Sequence, residues 1–328
     1  MRKGFINFVI PAVTALLALG AILAVQQERL ARPLTPERRA IIEADRIRAR
    51  LRERIAAEGL EKTYAAIERD PTADVAAKHG EAHIFGELAY EKEGIDAIRV
   101  CDAEMTFGCY HGLIVRALAR EGLGALPKID AACVEAHGKD DTGCRHGIGH
   151  GLAEYFSVRD LADALDRCSA IQPPGLLGCT QGVFMEYANV AADDPRIIDR
   201  SRPYEPCTSV AARYKASCYF EQPYLWHRLF GDDAAASAER CATLTGDERQ
   251  ACLLGLGRSI AEFSRYNGPA SVSGCGALPP DERMPCLAGA HWLFVAVERP
   301  LPWPCESLQP PERAACVRLS EEISDVGQ

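Results

Sequence analysis

Residues 241–252 read CATLTGDERQAC, and the same spacing of ten residues between two cysteines returns at 275–286 as CGALPPDERMPC and at 305–316 as CESLQPPERAAC. Each segment places Gly or Pro before a carboxylate and then Glu-Arg, the kind of start that suits a helix, with Pro in the first turn and acidic groups near the positive end of the dipole. The second cysteine is therefore expected in the first turns of a helix and the first at the end of the preceding helix. A bridge between them would close a helix-turn-helix over a short loop, contributing about 3 kcal/mol by chain entropy.

Working outward, all fourteen cysteines fall into local pairs, six of the seven with the ten-residue spacing: Cys101 with Cys109 (seven residues between), Cys133 with Cys144, Cys168 with Cys179, Cys207 with Cys218, Cys241 with Cys252, Cys275 with Cys286 and Cys305 with Cys316. Successive second cysteines are separated by 35, 35, 39, 34, 34 and 30 residues. That period is the size of a two-helix solenoid unit. A glycine recurs three residues after the second cysteine, in CYHG, CRHG, CTQG, CLLG and CLAG. Glycine inside a helix costs about 1 kcal/mol against alanine, so its recurrence predicts that the neighbouring helix approaches closely there.

Over about residues 60–318 this layout resembles the disulfide-stapled Sel1-like and tetratricopeptide-type helical repeat proteins. The likeness is one of architecture, because the Ala, Gly and Tyr-Lys-Ala positions of Sel1-like repeats are not matched. What it implies is an all-α, right-handed αα-hairpin solenoid of about seven to eight hairpins, and it carries no function with it.

Ahead of the repeats, residues 1–26 begin MRKGFINFVIPAVTALLALGAILAV, in which Arg2 and Lys3 precede an uncharged run from Gly4 to Val25 that is long enough as a helix to cross a hydrocarbon core of about 30 Å. We expect one N-terminal transmembrane anchor. A cleaved signal peptide is the alternative, with Ala18-Leu19-Gly20 as the peptidase site, although the apolar run continues past it. Residues 27–59 are expected to be a charged helical spacer, with Thr35 as N-cap, Pro36 in the first position and Gly59 as the stop, or else a coiled coil. Leu319 to Gln328 read as a tail. Paired cysteines in this number suit an oxidising compartment, so the expected location is a bacterial inner membrane with the body in the periplasm or outside the cell.

Aligning the repeats on the second cysteine uncovers a cysteine-less unit, AKHGEAHIFGE at 77–87, that matches CRHGIGHGLAE at 144–154 in both histidines, the glycine and the final glutamate. Three columns result. The first holds His79, His111, His146 and then Gln181; the second holds His83, His150 and Met185; the third holds Glu87 and Glu154. Positions i, i+4 and i+8 share one helix face, and stacked helices stand about 10 Å apart. His111 is thus expected within reach of both the His79-His83-Glu87 and the His146-His150-Glu154 stripe.

Imidazoles at this spacing with a carboxylate suit Zn, Cu or Fe, and a thioether tilts the choice toward copper. Non-covalent haem is a further option, since no C-x-x-C-H attachment motif occurs. The expected function is transition-metal or haem binding by His79, His83, His111, His146 and His150, with Glu87, Glu154 and Met185 in support. Two other readings stand beside it: a scaffold for extracytoplasmic protein partners, its histidines fixing repeat registry, and a metal-dependent enzyme using Glu87 or Glu154 as base. His137 is expected in a connecting loop, with His227 and His291 outside the columns.

A net charge of -9 without a basic, aromatic-interleaved run argues against nucleic acid. Phosphate-loop, dinucleotide and nucleophile-elbow motifs are missing. HGEAH puts Glu81 one place late for a zinc protease.

Overall fold

The structure is a computed structural model that describes residues 35–139, 141–194, 196–297 and 303–325. Its described secondary structure is helical throughout, as the repeat reading requires. The expected anchor, residues 1–26, lies outside the described residues, and among those described no helix is long and apolar enough to cross a membrane. The chain divides into two compact units, Met1–Ile47 and Arg48–Gln328.

Helix α1 (Pro36–Glu58) has the ends its sequence predicts. The Arg38 backbone N–H donates to Thr35 Oγ1 at 3.3 Å, and Gly59 stops the helix at φ 90°, a conformation that glycine adopts without strain. Its second half, from Arg48, belongs to the compact body instead of standing in solvent as a spacer: Leu51 and Ile55 are buried, and Arg48 and Arg50 pair with Glu87 and Glu81.

The body is built on eight inner helices: α3 (Val75–Glu93), α4 (Gly108–Glu121), α6 (Gly143–Phe156), α8 (Cys179–Asp193), α9 (Lys215–Phe230), α11 (Gly246–Phe263), α13 (Pro280–Ala296) and α14 (Pro310–Asp325). Each packs on the next in a continuous row. Five shorter helices form an outer layer: α2 (Leu60–Glu68), α5 (Leu126–His137), α7 (Leu161–Ile171), α10 (Ala234–Ala242) and α12 (Gly268–Gly276). In the remaining three units the expected outer helix is replaced by short 3-10 turns at Gly94–Val100 and Pro304–Ser307 and by turns through residues 196–211. Pro203, Pro206 and Pro304 fall in these segments, where their missing N–H groups remove the donors a helix needs.

All seven local disulfides form, and no cysteine is left free. Cys101 is joined to Cys109, Cys133 to Cys144, Cys168 to Cys179 and Cys207 to Cys218. Cys241 is joined to Cys252, Cys275 to Cys286 and Cys305 to Cys316, and across the seven bridges the Cα–Cα distances are 5.4–5.7 Å. They tie each outer segment to its inner helix. The second cysteine falls in the first turns of that helix, as expected: Cys218 is the fourth residue of α9, and Cys252 and Cys316 each stand seventh, in α11 and α14. The expectation that the first cysteine ends a helix fails for Cys101 and Cys207, which follow a 3-10 turn and lie among turns, and for Cys305, which sits inside a 3-10 turn.

Caps reinforce the starts: Asp74, Asp233 and Asn267 accept from Ala77, Ala236 and Ala270, and Asp141 accepts from the Cys144 N–H at 2.9 Å. Leu319 onward, expected as a tail, continues helix α14 to Asp325, because Ile323 is an apolar anchor in the core.

The recurring glycines sit where inner helices touch. A Cβ at Gly112 would lie 1.9 Å from the His83 carbonyl oxygen, at Gly182 2.1 Å from that of His146, at Gly255 1.9 Å from that of Phe220, and at Gly289 1.9 Å from that of Leu254. A second set meets the following helix, Gly86 at the Cys109 carbonyl, Gly149 at that of Cys179 and Gly257 at that of Cys286. Gly80 holds the same column in the first unit, has no preceding inner helix to meet, and has open space around it.

The row of inner helices curves strongly, bringing early and late units together. Phe107, in the second unit, packs against the cluster of Ala261, Leu293, Phe294 and Val297 near the far end. The curve encloses a cavity of about 680 Å³ with Asp74 on one side and Leu293 on the other.

Gly182→Ala is expected to destabilise the chain by about 1–3 kcal/mol, because the methyl group has to displace backbone. Gly80→Ala should instead stabilise by about 0.5–1 kcal/mol through helix propensity. Urea unfolding of the two variants measures the contrast, and equal effects would contradict the role given to the glycine column.

Candidate metal centre

The glycine contacts decide where the histidines meet. Because His83 lends its carbonyl to the Gly112 contact and His111 precedes that glycine, their side chains emerge at the same point of the α3/α4 seam. His111 Nδ1 lies 3.1 Å from His83 Nε2, and His83 Nε2 lies 3.1 Å from His79 Nε2. In α6, His146 and His150 bring their Nε2 atoms to 3.1 Å. The His111 ring stands between the groups, its centroid 5.5 and 5.0 Å from His79 and His83 and 5.3 and 4.1 Å from His146 and His150. Two triads of ring nitrogens result, His79-His83-His111 and His111-His146-His150, each within 4.8 Å.

Surrounding groups set the tautomers. His79 Nδ1 is 2.9 Å from the Met105 carbonyl oxygen, which only accepts, so Nδ1 carries the proton. Gln181 donates its amide N–H to Glu221 at 2.6 Å, which turns its carbonyl oxygen to His146 Nδ1, also at 2.6 Å. His150 Nδ1 donates to the Glu186 carboxylate at 2.8 Å. In all three residues Nε2 is left as a bare lone pair, and the lone pairs of His146 and His150 face each other without a proton between them. Histidine ligands to a metal are oriented in this manner, by giving the other ring N–H to a carboxylate, amide or carbonyl.

Burial keeps the imidazoles neutral. It is the largest cause of the downward shift at each of the five, with neighbouring imidazoles adding to it at all but His79; His83 and His150 fall to about 3. The His150–Glu186 contact is accordingly a neutral N–H donating to a carboxylate. His111 Nε2 is buried and meets no protein donor or acceptor. Such an orphan is costly in a protein interior unless something fills it.

The turn that presents Met105 is strained. Met105, Thr106 and Phe107 have φ of 52°, 53° and 65°, three consecutive side-chain-bearing residues in the left-handed region, at a cost of order 1 kcal/mol each. This turn delivers the Met105 carbonyl and the Thr106 hydroxyl to His79 and sets the Phe107 ring 5.6 Å from that of His146.

Of the residues expected in support, none joins the imidazole triads. Glu87 pairs with Arg48 at 2.8 Å. Glu154 is exposed, and partial desolvation first and then Glu186 and Glu87 push its carboxyl up. Met185 lines the cavity with its sulfur 3.8 Å from Arg258. The residues missed are Glu186, Gln181 as an orienting group, the 105–107 turn, and a buried ion pair of Glu221 with Arg258, which also binds Glu262 at 2.8 Å. Glu221 occupies the glycine column of its unit; the break in that column was its signal. Of the other histidines, His137 ends helix α5 instead of lying in a loop and shares a 2.9 Å hydrogen bond with Tyr110. His227 bonds to the Asp232 carbonyl and His291 is buried in the core.

His79 and His146 line the cavity, together with Phe107, Tyr224, Trp292 and Arg258. The cluster therefore has a route to a solute.

Compared with known proteins, the chain matches no family model, no curated protein and no solved structure.

The buried imidazoles are neutral in the folded chain but titrate near about 6.5 once unfolded. Between that value and about 3, where His83 and His150 protonate in place, the unfolded state binds more protons. Metal-free protein should therefore lose stability as pH falls from about 7 to 5, by up to about 1.4 kcal/mol per pH unit for each such imidazole. Urea midpoints measured with chelator at several pH values would record this, and a flat profile would contradict it.

Proposed function

We propose that this chain is a membrane-anchored, extracytoplasmic protein that binds a late transition metal ion through His79, His83, His111, His146 and His150. The observation that carries the reading is the set of convergent Nε2 lone pairs fixed by partners at Nδ1. Metal–nitrogen distances of about 2.0–2.1 Å turn a nitrogen separation of 3.1 Å into an angle of about 100° at the ion, close to tetrahedral. All-imidazole ligation suits Zn, Cu or Fe, and neutral imidazoles need lose no proton to bind.

Haem is less well supported. Two axial histidines have to approach iron from opposite faces of the macrocycle, whereas His146 and His150 turn their Nε2 atoms together on one helix. The extracytoplasmic location is supported by the seven disulfides, and the anchor by the apolar run near the N-terminus. A right-handed αα-hairpin solenoid, similar in architecture alone to Sel1-like and tetratricopeptide-type repeat proteins, is supported by the repeat period and the inner row of helices.

One observation favours a second reading, a metal-dependent enzyme: the cavity beside His79 and His146. Glu87 and Glu154 do not line it, while Glu262 does, so Glu262 takes the place of the expected base in that reading. A protein-partner scaffold with purely structural histidines remains the reading if no metal binds.

Full-length protein exported to an oxidising compartment and purified without chelator or affinity metal should carry metal at one equivalent or more by elemental analysis, with no Soret band. At a free zinc concentration 100 times the dissociation constant, apo protein should gain about 2.7 kcal/mol. The His146→Ala/His150→Ala variant should lose most of the metal while remaining folded. Metal-free protein that takes up none on titration would overturn the proposal, and a Soret band would redirect it to haem.

A further inference from the structure

The two triads share one residue, and that residue has a nitrogen to spare. His111 turns Nδ1 toward His83 at 3.1 Å, while its Nε2 is buried with no partner on a ring flanked by His146 and His150. The two nitrogens of an imidazole point away from one another across the ring, so a single ion cannot use both. An ion held by His79, His83 and His111 Nδ1 would leave the His146 and His150 lone pairs confronting each other at 3.1 Å and His111 Nε2 still without a partner. An ion in the second triad alone leaves the His79 and His83 nitrogens in contact at 3.1 Å with no ion between them.

We propose that the cluster is a two-metal centre in which His111 bridges the ions as an imidazolate, Nδ1 on the His79-His83 side and Nε2 on the His146-His150 side. This rests on the reading of the cluster as a metal site. Both triads are then filled and every Nε2 lone pair in the centre has an acceptor. The step involves no oxidation or reduction: the second ion exchanges bound water for His146 Nε2, His150 Nε2 and His111 Nε2, and the ring N–H of His111 breaks as its metal–nitrogen bond forms, the proton passing to the buffer. The Glu186 carboxylate, hydrogen-bonded to His150, supplies negative charge beside the centre, while Glu221, reached from His146 through Gln181, is paired with Arg258.

The alternation of units explains why a pair of ions is built here. His79-His83 and His146-His150 are complete i, i+4 pairs on α3 and α6, but α4 between them carries Val115 where a second histidine would stand. Helix α4 thus contributes one imidazole to two neighbours, as a bridge would require.

Zinc titration of the full chain, followed by elemental analysis and native mass spectrometry after desalting, tests the count. Two equivalents per chain are expected. One equivalent would overturn the bridge while leaving a metal site; none would overturn the metal reading as well. Loading with Cu(II) tests the bridge itself. An imidazolate-coupled pair should show a low-temperature paramagnetic resonance signal far below that of two copper ions, and a signal worth two independent spins would overturn the proposal. In His111→Ala, checked for folding by circular dichroism, coupling should vanish and the second zinc should bind at least tenfold more weakly. Persistent coupling in that variant would overturn the role assigned to His111, and the wild-type spectrum decides the matter even if the variant does not fold.

Discussion

The contact between a glycine of one inner helix and a backbone carbonyl of the helix before it governs this molecule. At Gly112 and Gly182 the carbonyl belongs to His83 and His146, members of the histidine columns. The approach that packs the repeat therefore also delivers the imidazoles to one another. Were α3 and α4 held at an ordinary separation of about 8–10 Å by larger residues, the His83 and His111 rings could not stand within hydrogen-bonding distance. The disulfides act on the other side of each unit, holding the outer segment against its inner helix in a chain whose individual outer elements are short or irregular.

Burial follows from that packing and sets the chemistry. His111, His146 and His150 are buried and His79 and His83 half-buried; all five stay neutral, and the protons of His79, His146 and His150 are parked on Nδ1 by a strained carbonyl turn, an amide and a carboxylate. Gln181 links this arrangement to the Glu221–Arg258 pair, where a buried carboxylate replaces the glycine of the repeat. A buried ion pair costs desolvation and seldom adds stability on its own. Here it orients Gln181, which orients His146, so its effect is felt at the centre.

Much of this was legible in the sequence because it is periodic. The C-x10-C spacing predicted the local bridges and the inner helices, and alignment on the second cysteine put His111 between two histidine pairs. What escaped is what the repeat does not encode. Glu186 lies one residue past the Met185 column, yet it is the group that reaches His150. The 105–107 turn depends on positive φ in residues that rarely adopt it. The outer segments around Pro203, Pro206 and Pro304 break the hairpin pattern, and the packing of Phe107 against the cluster around Leu293 and Phe294 depends on curvature accumulated over many units. Leu319–Asp325 looked dispensable by composition, but a single well-placed Ile323 holds it in the fold.

The most direct test is an anomalous difference map, collected at the absorption edge of the metal present, from crystals of the full chain purified without added chelator or metal. The account predicts density among the ring nitrogens of His79, His83, His111, His146 and His150, at about 2.0–2.1 Å from the Nε2 atoms. Anomalous density confined to surface carboxylates, with the five imidazoles hydrogen-bonded only to one another, would contradict it.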